Sequence, residues 1–373
     1  MNIGIDGNEA NVGKRVGIGE YAFELLSQFE QLSISNLQFT IYLKVPPLSH
    51  MPKEREGWRY KVIGPSKLWT RFALPLRLFL SNSKPDVFFT PTHYAPLFSP
   101  CPTAISIMDL SYLHFPELFA KKDLYQLTNW TKQSVKKAKK IFAISKFSKN
   151  DIINSYRVRD RDVVVTYPGI KANNSNIKTQ NMDILKKKYK LDRPYILFVG
   201  TLQPRKNIVK LIEAFSKLDK KDIDLVVVGK KGWLYEDILA APGKFGVLER
   251  VKFLDFVRDE ELPLFYRHAL CFVMPSLYEG FGLPVLEAMR EGCPVLASDV
   301  SSLPEAGGDA ALYFNPGDVS DIAAKIERVI GDEDLRKEMV EKGYKQIKKF
   351  SWEKAAGETL KVLQKLGEGE LTG

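Results

Sequence analysis

The chain has 373 residues, of which 45% are hydrophobic and 27% charged, and a formal net charge of +10. That length suits about two domains and that composition a globular protein rather than a disordered one, while no apolar run reaches the ~18 residues a membrane span needs. Three dispersed cysteines (Cys101, Cys271, Cys293) form no C-x-x-C pair and the four histidines no ligand spacing, so free thiols are expected and no metal centre.

Residues 2–6 read as a strand rather than a signal peptide, since a basic n-region and an apolar h-region are missing, and a cytoplasmic protein is expected. Further strands are expected at 39–43, 87–90, 103–108, 140–144 and 163–167, with helices at 19–31, 123–138 and 146–156. The polar stretch 171–183 breaks the pattern and reads as the interdomain region. The alternation then restarts, with strands at 195–199, 224–228, 251–254, 271–274 and 294–297 and helices at 207–218, 284–291 and 319–330. A last helix is expected at 351–366. Short continuous apolar strands alternating with helices indicate parallel sheets buried on both faces, an α/β protein of doubly wound type. Such sheets bind ligands at the carboxyl ends of their strands, and the motifs below follow strands.

Gly13, Gly17 and Gly19 fall between the first strand and the first helix, where glycine lets the backbone approach a ligand. Their spacing is not G-x-G-x-x-G, so a dinucleotide fingerprint is not supported, and a surface loop explains them as well. Segment 68–80 is apolar with Arg71 and Arg77 embedded, and residues 132–140 hold five lysines (Lys132, Lys136, Lys137, Lys139, Lys140) beside Trp130. An ordinary packed helix and a solvated helix face account for both, with Pro75 interrupting any long amphipathic helix. Peripheral contact with an anionic membrane, at about 1 kcal/mol per basic residue, is the alternative.

Arg205 and Lys206 follow the strand ending near Gly200 and precede Asn207, which is expected to cap the next helix. Cations beside a helix N-terminus oppose its dipole, each at a cost of up to about 1 kcal/mol, so an anion is expected between them. A diphosphate clamp is the reading here, and two solvated cations the plainer alternative. Asp222 and Asp224 have a D-x-D spelling, but they open an apolar strand and read as structural. The most informative stretch runs from Glu279 through Gly280, Phe281, Gly282 and Leu283 to Glu287. An apolar run closed by Pro275 precedes it, and Pro284 suits a first helical turn. Two carboxylates thus flank a helix N-terminus, whose amides suit phosphate. One could hold a ribose diol and the other a sugar; taken alone, the block is also compatible with any strand–turn–helix.

This block resembles the E-x7-E motif of the large retaining glycosyltransferase family numbered four, which has the two-Rossmann GT-B fold. The likeness runs over nearly the whole chain. Residues 200–207 are similar to the family's G-x-x-x-x-R-K-N stretch, with Thr201 where some relatives carry an arginine. Residues 105–116 are similar to its H-D-L…P region, with Met108 in place of a histidine that contacts the donor sugar; His114 lies elsewhere in the pattern. Residues 144–148, 167–170 and 297–305 resemble other family segments.

The resemblance implies two Rossmann-like domains facing across a cleft: 1–170 for the acceptor and 171–350 for the donor, with 351–373 crossing back to the first. Glu279, Arg205 and Lys206 would be the catalytic set. Gly17, Gly280, Phe281, Gly282, Leu283 and Glu287 would bind the nucleotide, and Gly19 and Asp109 would meet acceptor or sugar. The reaction implied is retaining hexosyl transfer, of mannose or glucose type, from a GDP- or UDP-linked donor to a saccharide or lipid-linked acceptor, with no metal and no cofactor. Glu279→Ala and Lys206→Ala are expected to cut turnover while leaving the fold intact. Rival readings are a sugar-nucleotide epimerase, a sugar phosphorylase and a non-catalytic sugar-nucleotide scaffold. A nucleic-acid binder is suggested by charge alone, and no module for it is present.

Overall fold

The computed structural model describes residues 1–15, 17–32, 36–171, 182–255 and 257–370. They form two compact units, Met1–Gly169 with Phe350–Gly373, and Ile170–Lys349. Of the polar stretch expected between domains, residues 172–181 lie outside the described residues.

In the first unit the strands are β1 (Asn2–Asp6), β2 (Gln38–Leu43), β3 (Trp58–Val62), β4 (Val87–Thr90), β5 (Thr103–Ile107), β6 (Lys140–Ala143) and β7 (Val163–Val165). Its helices are α1 (Ile18–Gln31), α2 (Ala73–Leu80), α3 (Ser111–His114), α4 (Lys121–Lys137) and α5 (Lys146–Tyr156). All strand pairs are parallel, in the order β3-β2-β1-β4-β5-β6-β7. The central strands are buried throughout, as the continuous apolar runs require. The edge strand β3 is half exposed and alternates apolar Trp58, Tyr60 and Val62 with charged Arg59 and Lys61, a five-residue period-2 signal that the expected strands above do not include.

The second unit holds β8 (Tyr195–Val199), β9 (Asp224–Val228), β10 (Val251–Leu254), β11 (Cys271–Met274), β12 (Val295–Ser298) and β13 (Ala311–Phe314). Its helices are α6 (Met182–Tyr189), α7 (Ile208–Ser216), α8 (Glu236–Lys244), α9 (Leu262–His268), α10 (Leu283–Arg290), α11 (Leu303–Gly307), α12 (Val319–Gly331) and α13 (Glu333–Ile347). The strands are again parallel, in the order β10-β9-β8-β11-β12-β13. Phe198, Ile212, Phe215, Val227 and Val273 lie at the centre of a core with almost no exposure. Asp318 and Asp332 cap α12 and α13 by accepting first-turn amides, each a contribution of about 1 kcal/mol.

The final helix, α14 (Trp352–Gly367), belongs to the first unit. Ser351 caps it, accepting from the Lys354 amide at 3.0 Å. It packs on α1 and β4, and Trp352 meets Tyr21 edge to face. Gly169 makes this docking possible: a Cβ there would lie 2.0 Å from the Trp352 nitrogen.

Candidate functional site

In the second sheet, β8 leads through α7 to β9 on one side, while β11 leads through α10 to β12 on the other. The winding therefore reverses between β8 and β11, and the carboxyl ends of the strands at such a reversal are where open α/β sheets take ligands. Residues 200–206 leave β8 at that point and residues 275–282 leave β11. The two most informative sequence motifs are thus brought together by topology.

They meet through charge. The Lys206 ammonium donates to one Glu279 oxygen at 2.5 Å, and the Arg205 guanidinium to the other at 3.3 Å. Arg205 also donates to the Tyr278 carbonyl, and the Leu277 amide donates to the Arg205 carbonyl at 2.9 Å. Lys206 is only 9% exposed and Glu279 8%. Burial pushes the Glu279 carboxyl up, but the Lys206 and Arg205 charges more than offset it and hold it at about 2. Glu279 is therefore an anion at neutral pH, and the triad carries one net positive charge.

The backbone of Glu279 is also fixed. Its amide donates to the Ser301 hydroxyl at 3.1 Å, and its carbonyl accepts from the buried Ser302 hydroxyl at 2.8 Å.

Two expectations are corrected here. The anion that offsets the cations before α7 is the protein's own Glu279, before any ligand is considered. Asn207 occupies the N-cap position but caps nothing: its backbone is left-handed, with φ 57°, and its side chain donates to the Pro316 carbonyl at 2.9 Å.

The loop after Glu279 enters α10 through Gly282, whose φ of 105° is costly for any side chain. A Cβ at Gly282 would lie 2.7 Å from Leu303. Gly280 and Phe281 are buried, and the Phe281 ring belongs to the core, so only its backbone is suited to a ligand. Leu283 and Pro284 open the helix, and Glu287 lies one turn in. Glu287 is half-buried and accepts from the Tyr266 hydroxyl at 3.1 Å. Burial raises its pKa, against the pull of Arg290. Tyr266 carries no sequence signal, because its phenol reaches Glu287 from α9, the helix that precedes β11.

In the first unit the winding reverses between β1 and β4. Gly17 precedes α1 with φ 51°, and nothing lies within 4 Å of a Cβ built there. Gly19 is buried, close to the Glu9 carbonyl. Asp109, just past β5, accepts from the Ser111 amide at 2.9 Å and the Ser111 hydroxyl at 2.6 Å, which opens α3. Its carboxylate thus has a structural task. Met108 follows β5 directly, and its carbonyl accepts from Ser148 at 3.2 Å. His114 pairs instead with Asp151 at 2.9 Å.

Sequence reasoning missed Asp6 and His93, at the ends of β1 and β4. Burial raises Asp6 to about 6, against hydrogen bonds from Asn8. The His93 Nδ1 is buried without a hydrogen-bond partner, and burial lowers the pKa of the ring. A polar residue closing an apolar strand (Asp6) or falling three places past one (His93) was the available signal.

The other residues singled out in the sequence are placed as follows. All three cysteines are free. Asp224 opens β9 as a buried structural acid, 3.0 Å from Lys252. Lys140 is no surface lysine: it is buried in β6 and donates to the Arg161 carbonyl at 2.7 Å. Segment 68–80 is not simply a packed helix, since one face of α2 is exposed and apolar. No described helix is long and apolar enough to cross a membrane. Among the described residues no group of three or more His, Cys, Asp or Glu is placed to hold a metal.

Two family models match the chain, "Glycosyltransferase Family 4" over residues 17–174 and "Glycosyl transferases group 1" over residues 181–346. The O-antigen chain mannosyltransferase B of Escherichia coli is 35% identical over 263 residues, 69% of each chain. Among solved structures, a sucrose-phosphate synthase from Thermosynechococcus elongatus superimposes with a TM-score of 0.75 at 18% identity, over 99% of both chains. Anabaena Alr3699/HepE in complex with UDP and glucose gives 0.75 at 18% identity, over 98% of this chain and 99% of that one.

Proposed function

This chain belongs to the family 4, group 1 glycosyltransferases and has the GT-B fold, and on that premise we propose that it moves a mannose-type hexose from a nucleoside diphosphate sugar to a saccharide or lipid-linked acceptor, with retention. The observation that carries this reading is the buried Lys206–Glu279–Arg205 triad at the strand-order reversal of the second unit. Its net positive charge suits a diphosphate, and its ionised carboxylate suits a sugar carbon that becomes positive as the bond to phosphate breaks. Mannose is favoured by the E. coli relative.

In the proposed reaction the bond from the sugar's anomeric carbon to the diphosphate oxygen breaks, and the electron pair leaves with the nucleoside diphosphate. The acceptor hydroxyl bonds to that carbon from the same face and gives its proton to the departing phosphate oxygen. Arg205 and Lys206, with the amides around Gly282, stabilise the leaving charge. Glu279 offsets the positive charge on the sugar, and Glu287 takes the ribose. No metal is needed in this scheme, since protein cations face the diphosphate. Gly17, Gly19 and Asp109 lie on the first unit, the proposed acceptor side, as do Asp6 and His93.

The test is thermal shift with UDP, GDP and ADP, with and without a divalent cation. It is followed by transfer from the binding nucleotide's mannose or glucose conjugate and NMR of the product anomer. A metal-independent shift with one base, lost in Arg205→Ala, and an anomer matching the donor are expected. An inverted product would overturn retention, and turnover of the donor sugar without any acceptor would favour an epimerase.

A further inference from the structure

Helix α2 has two apolar faces where a surface helix ordinarily has one. Ala73, Leu74 and Leu78 point inward and are buried. Phe72, Leu76, Phe79 and Leu80, at spacings of four, three and one, form a second stripe, with Phe72 63%, Leu76 61% and Leu80 69% exposed. Pro75 does not break the helix, because it falls in the first turn, where an amide has no intrahelical acceptor.

Cations surround this stripe. Arg77 lies within it, and Arg77 and Arg59 are both close enough to Lys61 that, after burial, their two charges lower the Lys61 pKa. On the adjoining side, Arg71 stacks 4.7 Å over Trp130 of α4 and donates to Gln133. The Leu97 amide donates to the Thr70 carbonyl at 3.0 Å, and Lys137 of α4 donates to the Leu97 carbonyl. The Lys137 ammonium sits 4.8 Å over the ring of Phe98, which is itself exposed. The α2 stripe, Phe98 and the basic end of α4 are thus one continuous surface.

Lys137 also lines a cavity of about 340 Å³ at the end of α4, together with Lys136, Lys139, Arg157 and Arg159. Asp162 is the acid of that lining, and it is held by Arg159 at 2.7 Å and Lys140 at 3.8 Å. An adjoining cavity of about 260 Å³ adds Lys132.

We propose that this face of the first unit docks on an anionic lipid surface, with Phe72, Leu76, Phe79 and Leu80 entering the headgroup–acyl boundary and the cavity cations taking headgroup phosphates. An apolar stripe alone would fit a protein partner as well. The excess of positive charge around it selects a negatively charged bilayer, where apolar burial and charge act together. Each cation at such a surface is worth a factor of about five in partitioning.

Flotation of the full chain with phosphatidylcholine vesicles, with and without phosphatidylglycerol, tests this. The wild type should rise with the phosphatidylglycerol vesicles and release as salt is added. Leu76→Ser with Leu80→Ser should lower that partitioning at least about tenfold. Lys132→Gln with Lys136→Gln and Lys139→Gln should lower it about a hundredfold. All five positions are exposed, so unchanged melting and nucleotide binding would separate lost docking from lost folding. Wild type left in the aqueous layer, equal flotation on both vesicle types, or variants that float like wild type would each overturn the proposal. So would a stable complex with a soluble protein and no vesicle binding.

Discussion

Replacing Glu279 by alanine should destabilise the unliganded protein as well as silence it. Lys206 and Arg205 would be left facing each other with side chains 11% and 13% exposed and no carboxylate between them. Breaking a buried ion pair by removing one partner costs about 3–5 kcal/mol. For a domain of this size that lowers Tm by roughly 6–20 °C. The acid limb of the stability curve gives an independent measure. With the carboxyl held at about 2 against an ordinary 4.5, it contributes about 3 kcal/mol above pH 4.5. That contribution falls away between about 4.5 and 2, as the carboxylate is protonated in the folded state. Glu279→Ala should lose this limb.

A nucleoside diphosphate brings an anion to the same two cations, so it should raise the variant's Tm by more than it raises wild type's. Turnover should fall by about a hundredfold or more. Differential scanning fluorimetry across pH, with and without nucleotide, reads all of this. A variant melting within about 2 °C of wild type would refute the coupling between the two loops. The sequence alone suggests that this substitution spares the fold; the burial of the triad is what reverses that expectation.

Glu287→Gln should raise the unliganded Tm at neutral pH by a few degrees while weakening nucleotide binding. Burial raises this carboxyl's pKa, so ionisation costs the folded state stability as pH climbs above the unfolded value, and glutamine keeps the acceptor for Tyr266. A lower Tm in the glutamine variant would count against that burial. Glu291→Ala should cost about 3–5 kcal/mol and leave nucleotide affinity intact, since the acid is buried between Arg267 at 2.6 Å and Arg290 at 2.8 Å; titration calorimetry on the folded fraction checks this. Ser302→Ala should cost about 1–3 kcal/mol by stranding the buried Glu279 carbonyl, and should lower kcat more than it raises KM. Equal effects on both constants would show that Glu279's position does not depend on that hydrogen bond.

Much of the architecture was legible because buried parallel strands announce themselves. The runs at β1, β4, β8, β9 and β11 are short, apolar and bounded by turn residues, and their expected limits match the strands. Two of the four edge strands were missed: β3 alternates Trp58, Tyr60 and Val62 with Arg59 and Lys61, a signal only five residues long, and β13 is apolar, only partly covered and has no period of its own. At the site, sequence spacing placed Arg205, Lys206, Glu279 and Glu287 on the right loops and helix. It could not show that the two loops pair with each other, because that depends on β8 lying beside β11 although 71 residues of chain run between them. Tyr266 and Ser302 were invisible for the same reason.

The return of α14 to the first unit sets an order of events during synthesis. Residues 1–169 leave the ribosome with the surface around Tyr21 and β4 still uncovered, since its cover is encoded after the whole of the second unit. At ribosomal speeds that interval lasts roughly 10–40 s. The second unit is contiguous in sequence and can close as soon as it emerges. The second unit is thus ready first, and the half with the earlier codons waits, with apolar surface open to chaperones, until Leu360, Leu363 and Leu366 arrive to seal it.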